Sequence, residues 1–187
     1  MERTFECALV EQCAPTLAGV KPANLFRFSG DPAEIRRCAE EWDGRLKPAG
    51  LRAAILKECP EAGACMVFVY RENWLKRLLT EPHRLMFLTE LGYQAGTPEE
   101  MLAQLSRRLC LEAEYPHEIG VFLGYPLADV KGFIRNRGWN YTCCGCWKSY
   151  GDPAAARKCF DRYRKCTDLY RRRYEQGTPL LRLVVAA

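Results

Sequence analysis

The sequence predicts an α/β (α+β) fold, with a mixed β-sheet flanked by helices in a single domain that spans residues 1–187. The chain has 187 residues, 48% of them hydrophobic and 27% charged, which is typical of a globular domain with a substantial core. Short apolar or alternating runs that predict strands are interspersed with segments that carry helix start and stop signals. Because these strands and helices alternate without a strict β–α–β rhythm, we expect a mixed sheet.

The N-terminal half contains three predicted strands. Apolar residues spaced by four predict a short helix over residues 2–13, and Pro15 predicts a turn directly after it. Strands are expected at residues 24–29, 51–56 and 64–70, and the last two form a predicted antiparallel hairpin. Capping residues and prolines predict further helices that begin near Pro32, Asn73, Pro82 and Pro98.

The C-terminal half has three predicted strands and two predicted helices. The apolar run at residues 119–123 predicts a buried strand, and residues 127–136 predict the helix that follows it. Residues 138–150 are expected to form a loop with a short strand. A long helix comes next, ends before Gly177 and is followed by a predicted strand at residues 180–185.

Composition indicates a cytoplasmic protein that does not enter a membrane. No apolar run approaches the roughly 20 residues that a bilayer-spanning helix needs. The N-terminus lacks the basic and then apolar pattern of a secretory signal. Eleven cysteines are then expected to be thiols, since stable disulfides are rare in a reducing compartment.

Charge is distributed unevenly along the chain. Residues 131–187 contain thirteen Lys/Arg and four Asp/Glu, a net charge of +9, which leaves −4 for residues 1–130. The basic C-terminal helix could therefore bind nucleic acid or an acidic partner. Its tyrosines recur at helical spacing together with cysteines, which favours a buried face over a base-stacking surface. Nucleic-acid binding is accordingly a secondary alternative.

The first candidate site pairs Cys13 with His117. A thiol becomes a strong nucleophile when an imidazole accepts its proton. Cys13 is predicted at a turn, and His117 is one of only two histidines. Asp129, Asn136 or Asn140 could orient the imidazole. The alternative is that Cys13 packs at a helix end and His117 binds the backbone after Pro116.

Gly124, Tyr125 and Pro126 form a predicted strand-to-helix junction. Backbone N–H groups at such a junction could bind a small ligand or an anion. The segment lacks the glycine patterns of nucleotide-binding loops. The alternative is an ordinary turn.

Cys143 and Cys146 form a C-x-x-C pair, a spacing that suits metal binding or thiol exchange. The chain has no second such pair, so further ligands would have to come from elsewhere, with Cys166 or His117 as candidates. An iron, haem or other metal site is one hypothesis. A structural turn that carries ordinary thiols is the other.

Three segments carry a family resemblance: CAPTLAGVKPANLF (13–26), YPHEIGVFLGYPLADVKGFI (115–134) and CGCWKSYGD (144–152). With these motifs the chain resembles a bacterial domain-of-unknown-function family found mainly in clostridial anaerobes. The third motif of that family usually has valine at the position of Ser149. The resemblance implies a cytoplasmic protein of an anaerobe, and the iron-uptake and flavodoxin genes near relatives imply an iron or redox role. It implies no particular reaction and no set of catalytic residues.

The leading functional hypothesis is thiol or imidazole chemistry on a small molecule at a Cys13–His117 site, next to Gly124–Pro126. Metal binding through Cys143 and Cys146 is the first alternative. Nucleic-acid or acidic-partner binding through the C-terminal helix is the second. The sequence leaves open whether the protein is an enzyme and how it oligomerises.

Overall fold

The computed structural model of the protein describes residues 4–111 and 114–186. Within these residues it contains nine α-helices and five strands, in the order α1 (Phe5–Leu17), β1 (Ala23–Ser29), α2 (Pro32–Leu46), β2 (Leu51–Cys59), β3 (Ala64–Arg71), α3 (Glu72–Thr80), α4 (Pro82–Glu90), α5 (Pro98–Leu111), α6 (Ile119–Phe122), α7 (Leu127–Arg135), β4 (Cys143–Cys144), β5 (Lys148–Ser149), α8 (Pro153–Glu175) and α9 (Leu180–Leu183).

The chain divides into two compact units. The first consists of Met1–Leu75 and Cys166–Ala187, and the second of Lys76–Lys165. The predicted class, a sheet flanked by helices, is confirmed, but the sheet is not mixed, because each strand pair in the described residues is antiparallel. That residues 1–187 form a single domain stays a prediction.

A three-stranded sheet forms the centre of the first unit, with the strand order β1-β3-β2. The central strand β3 is almost completely buried. Its Val67 is opposite Phe26 in β1 and Ile55 in β2, so apolar side chains line up across the sheet. Helices α1 and α2 supply most of the other side chains of this core, which include Leu9, Cys13, Leu17, Ile35 and Trp42.

Arg71, at the end of β3, joins the C-terminal segment to α1. Its buried guanidinium donates hydrogen bonds to the carbonyl oxygens of Thr16 (2.8 Å), Leu17 (3.0 Å) and Val185 (2.6 Å). Burial lowers the pKa of Arg71. Because two of the acceptors lie at the negative end of α1, the helix favours the buried cation.

The second unit is helical in its described part, apart from the β4-β5 hairpin. Helix α5 begins with a capping box, in which Thr97 Oγ1 accepts from the Glu100 N–H (3.2 Å) and Glu100 Oε2 accepts from the Thr97 N–H (2.7 Å). Glu118 is buried and accepts from the Tyr93 hydroxyl (3.0 Å) and from Arg108 (3.4 Å). These bonds fix the residue next to His117.

Most predicted elements are confirmed, and two predicted strands are wrong. Residues 119–123 contain the one-turn helix α6, and residues 180–185 contain the short helix α9. Both runs are apolar and short, and periodicity does not distinguish a buried strand from a buried helix over such a length. No helix of the described residues has the length and apolar character needed to cross a bilayer.

The turn predicted at Pro15 is also wrong, because α1 continues through this residue to Leu17. Pro15 lies in the last turn of the helix, so its missing N–H removes one bond near the end and leaves the rest of the helix intact. Every residue from 13 to 17 is buried, which favours the continued helix. Residues 2 and 3 of the predicted first helix lie outside the described residues.

Candidate functional site

A cavity of about 180 Å³ lies within the second unit. The segment around α6, helix α7 and the β4-β5 hairpin form its walls. Ile119, Val130 and Phe133 give it an apolar surface. The side chains that can bind or react are His117, Tyr125, Asp129, Cys146, Trp147 and Lys148.

Two glycines shape the wall that α6 forms. A Cβ on Gly120 would approach Val130 Cγ2 to 2.8 Å and Tyr125 Cδ2 to 3.1 Å, so only glycine allows this packing. Gly124 has φ of 75°, which turns the chain and lets the Tyr125 N–H donate to the Gly120 carbonyl (2.9 Å). Pro126 then caps α7. The predicted junction thus places Tyr125 at the cavity, while Gly124 and Pro126 form the turn.

Asp129 anchors the hairpin to α7. Its Oδ1 accepts from the backbone N–H groups of Tyr150 (2.7 Å) and Gly151 (3.2 Å) and from the Ser149 hydroxyl (3.2 Å). Its Oδ2 accepts from Trp147 Nε1 (2.7 Å). The carboxylate is only 4% exposed and accepts four hydrogen bonds. No hydrogen bond joins Asp129 to His117 among the described residues, so its predicted role of orienting the imidazole stays a prediction.

Aromatic rings form much of the cavity surface. The rings of Tyr125 and Trp147 stack with their centroids 4.9 Å apart and an interplanar angle of 24°. Trp147 also meets Phe160 edge-on at 4.5 Å. The Tyr125 hydroxyl donates to the Cys146 carbonyl (3.3 Å). Burial raises the pKa of Tyr125 to about 12, so its hydroxyl is protonated at neutral pH.

His117 and Lys148 are the cavity groups that can carry a positive charge. The His117 ring is exposed to solvent, its centroid lies 4.7 Å from that of Phe133, and its nitrogens bind no other described residue. Lys148 Nζ donates to the Gly138 carbonyl (2.9 Å) and lies 5.0 Å from the Tyr141 ring centroid. Lys148 forms no ion pair with a carboxylate in the described part of the chain.

The hairpin places one thiol at the cavity. Cys144 is paired with Lys148 in the β4-β5 ladder, and Gly145, Cys146 and Trp147 form the connecting loop. A Cβ on Gly145 would collide with the Phe160 ring, so glycine allows the loop to pack on α8. Cys144 and Cys146 are both exposed, but only Cys146 lines the cavity.

The remaining predicted site residues lie elsewhere. Cys13 is completely buried in the core of the first unit, and burial raises the pKa of its thiol, which favours the protonated form. Asn136 donates from Nδ2 to the Gly132 carbonyl (2.8 Å) at the end of α7. Their predicted roles as nucleophile and as the residue that orients His117 stay predictions.

The metal hypothesis gains no support from the geometry. Cys143 lies in β4, Cys146 lies in the loop of the hairpin, and Cys166 lies in α8. Within residues 4–111 and 114–186, no group of three or more His, Cys, Asp or Glu side chains is arranged to hold a metal ion.

Trp147 and Lys148 line the same cavity as His117 but were not singled out from the sequence. Both stand in the motif CGCWKSYGD, which pointed only to the family resemblance. The signal that could have found them is Asp129, a carboxylate inside an apolar helix face, because such a group requires donors from another segment.

A family model matches residues 9–184 of the chain, and its description reads "Protein of unknown function (DUF3793)". The matched range includes each residue that lines the cavity. No curated protein and no solved structure matches the chain.

Proposed function

The chain belongs to the DUF3793 family, and we propose that its second unit carries a small-molecule site. In this site His117 is the base and Cys146 is the nucleophile. One observation carries the proposal: His117 and the exposed residue Cys146 both line the same cavity of about 180 Å³. A ligand in this cavity could contact both groups. The proposal keeps the thiol and imidazole chemistry expected from the sequence and replaces Cys13 with Cys146.

The proposed reaction is acyl transfer to the thiol. His117 accepts the proton of the Cys146 thiol, and the sulfur forms a bond to an electrophilic carbonyl carbon of the ligand. The bond from that carbon to its leaving group breaks, and the imidazolium returns the proton to the leaving group. Water, deprotonated by His117, then hydrolyses the thioester and restores the thiol.

The surroundings of the two cysteines support this choice. Cys13 is completely buried, and burial raises its pKa, so its reactive thiolate form is disfavoured. Cys146 is exposed and shares its cavity with two groups that can carry a positive charge, His117 and Lys148. Positive groups near a thiol favour the thiolate.

We place this activity in the cytoplasm. Stable disulfides are rare in a reducing compartment, and a nucleophilic thiol has to remain reduced. The eleven cysteines of the chain, all of them thiols in the structure, support this location. The resemblance to a family of anaerobes supports it as well.

Residue-resolved alkylation tests the proposal. The protein is treated with iodoacetamide at pH 7, and the rate at each cysteine is measured by peptide mass spectrometry. We expect Cys146 to react about tenfold faster than Cys144, which is equally part of the hairpin but does not line the cavity.

The matched variants are His117→Ala and His83→Ala. His83 is exposed in α4 and does not line the cavity, so its removal should leave the rate unchanged. His117→Ala should lower the Cys146 rate to that of Cys144. Equal rates at Cys144 and Cys146 in the wild-type protein, or a Cys146 rate that does not change without His117, would reject the proposal.

A further inference from the structure

We infer that the ligand of this cavity is a planar molecule of one ring that carries a negative charge, an aromatic carboxylate being the simplest example. The inference rests on the proposed function, because both place the ligand in the same cavity and an aromatic carboxylate is the product that hydrolysis of an aromatic thioester releases. It adds the chemical class of the ligand, which follows from the size, the shape and the charge of the cavity walls.

Size limits the ligand to about one ring. The cavity volume is about 180 Å³. An apolar cavity of about 150 Å³ in another protein holds a benzene molecule. Sites for drug-sized ligands are larger, at about 300–1,000 Å³. One ring with a small substituent fills this volume, and a larger ligand would extend beyond it.

The walls favour a flat ligand. Four ring side chains line the cavity: His117, Tyr125, Phe133 and Trp147. The orientation of Trp147 is fixed by its hydrogen bond to Asp129 and its edge-on contact with Phe160. Rings pack favourably on other rings in offset or edge-on arrangements, and this adds to the burial of apolar surface.

Charge favours an anion. Among the described residues that line the cavity, Asp129 is the one carboxylate, and its oxygens already accept four hydrogen bonds. In this part of the chain a cationic ligand would meet no other carboxylate. Lys148 uses one of its three N–H donors on the Gly138 carbonyl, which leaves two for a carboxylate. The His117 nitrogens are not bound to any described residue, so they too can donate to the ligand.

Three probes of similar shape and different charge test the ligand class. Benzoate, benzamide and benzylamine are titrated into the full-length protein, and the side-chain ¹⁵N–¹H signals of histidine and tryptophan are followed by NMR. We expect benzoate to shift the His117 and Trp147 signals saturably and to leave His83 unchanged. Benzamide and benzylamine should bind at least about tenfold more weakly, which corresponds to about 1.4 kcal/mol.

The variant pair for this test is Lys148→Gln and Lys131→Gln. Lys131 lies on α7 with its ammonium 5.1 Å from the Phe87 ring centroid and does not line the cavity. Lys148→Gln should reduce benzoate affinity to that of benzamide, and Lys131→Gln should leave it unchanged. If Lys148→Gln does not fold, the comparison of the three probes on the wild-type protein decides the question.

Benzamide or benzylamine binding as tightly as benzoate would overturn the charge assignment. The absence of any shift at His117 and Trp147 with all three probes would overturn the ligand class. These outcomes are separable from the proposed function. If benzoate does not bind while Cys146 alkylation still depends on His117, the inference fails and the proposed chemistry stands. If benzoate binds as expected while Cys146 alkylation does not depend on His117, the proposed chemistry fails and the ligand class stands.

Discussion

The indole nitrogen of Trp147 donates a 2.7 Å hydrogen bond to the carboxylate of Asp129. This bond joins two segments that stand apart in the chain, helix α7 and the β4-β5 hairpin. Asp129 also accepts three bonds from residues 149–151. The cavity exists because one buried carboxylate holds the hairpin against the helix.

Asp129→Ala is expected to destabilise the protein strongly. Removal of the carboxylate leaves four donors without an acceptor, and a buried unsatisfied group costs about 1–3 kcal/mol. We expect the free energy of unfolding to fall by about 3–5 kcal/mol, measured by urea denaturation. Asp152→Ala is the control, since Asp152 accepts one bond from the Ala154 N–H at an exposed helix start, and it should cost about 1 kcal/mol. Similar losses in the two variants would contradict the anchoring role.

The close packing at Gly120 gives a second prediction. In Gly120→Ala the new Cβ would collide with Val130 and Tyr125, so the free energy of unfolding should fall by about 1–3 kcal/mol. Gly44→Ala is the matched control. Gly44 lies inside helix α2, where an alanine Cβ would point into open space, so alanine there should raise stability by about 0.5–1 kcal/mol. Thermal unfolding of both variants measures the difference, and a stable Gly120→Ala protein would argue against this packing.

The sequence was sufficient to predict several residues of the site, but not the contacts that bring them together. His117, Tyr125, Asp129 and Cys146 were singled out from residue type and position, and all four line the cavity. That they meet depends on hydrogen bonds between segments, and local periodicity contains no information on such contacts. Cys13 was favoured because Pro15 predicted a turn, but the burial of residues 13–17 keeps this segment helical.

The fold was predictable where the pattern was long or regular. Strands β1, β2 and β3 have alternating or strongly apolar sequences. Helix α8 has a start signal at its N-terminus and a stop signal at its C-terminus. Helices α6 and α9 were predicted as strands. Each contains four residues, too few for a helical period to be visible.

Tyr125 gives a prediction for the pH dependence of stability. Its pKa is raised from 10 to about 12 by burial, so the folded protein holds this proton more tightly than the unfolded chain does. The stabilisation is fully present below pH 10 and is lost as the pH rises through about 12. Over this pH range the free energy of unfolding, measured by urea denaturation, should therefore fall by about 2 kcal/mol more for the wild-type protein than for Tyr125→Phe. Tyr141→Phe, at an exposed site, is the control, and identical slopes for wild-type protein and Tyr125→Phe would contradict the assignment.

Arg71→Met should loosen the C-terminal segment. The substitution removes three hydrogen bonds to carbonyl oxygens, those of Thr16, Leu17 and Val185. We expect a loss of about 3 kcal/mol in the free energy of unfolding and faster hydrogen exchange at the Val185 N–H, which donates to Leu17. Arg27→Met is the control, because Arg27 is exposed and its hydrogen bonds to Ser29 and Ala62 should contribute little. Unchanged exchange at Val185 in Arg71→Met would show that the segment is held by other contacts.

The claim that His117 and Cys146 share one cavity is tested most directly by labelling the thiol and observing the imidazole. In a Cys110→Ser/Cys144→Ser variant, Cys146 is converted to its methyl disulfide with methyl methanethiosulfonate, and the ring signals of the two histidines are recorded by NMR. We expect the His117 signals to shift and the His83 signals to stay in place. His117 signals that do not change on complete modification of Cys146 would contradict the shared cavity.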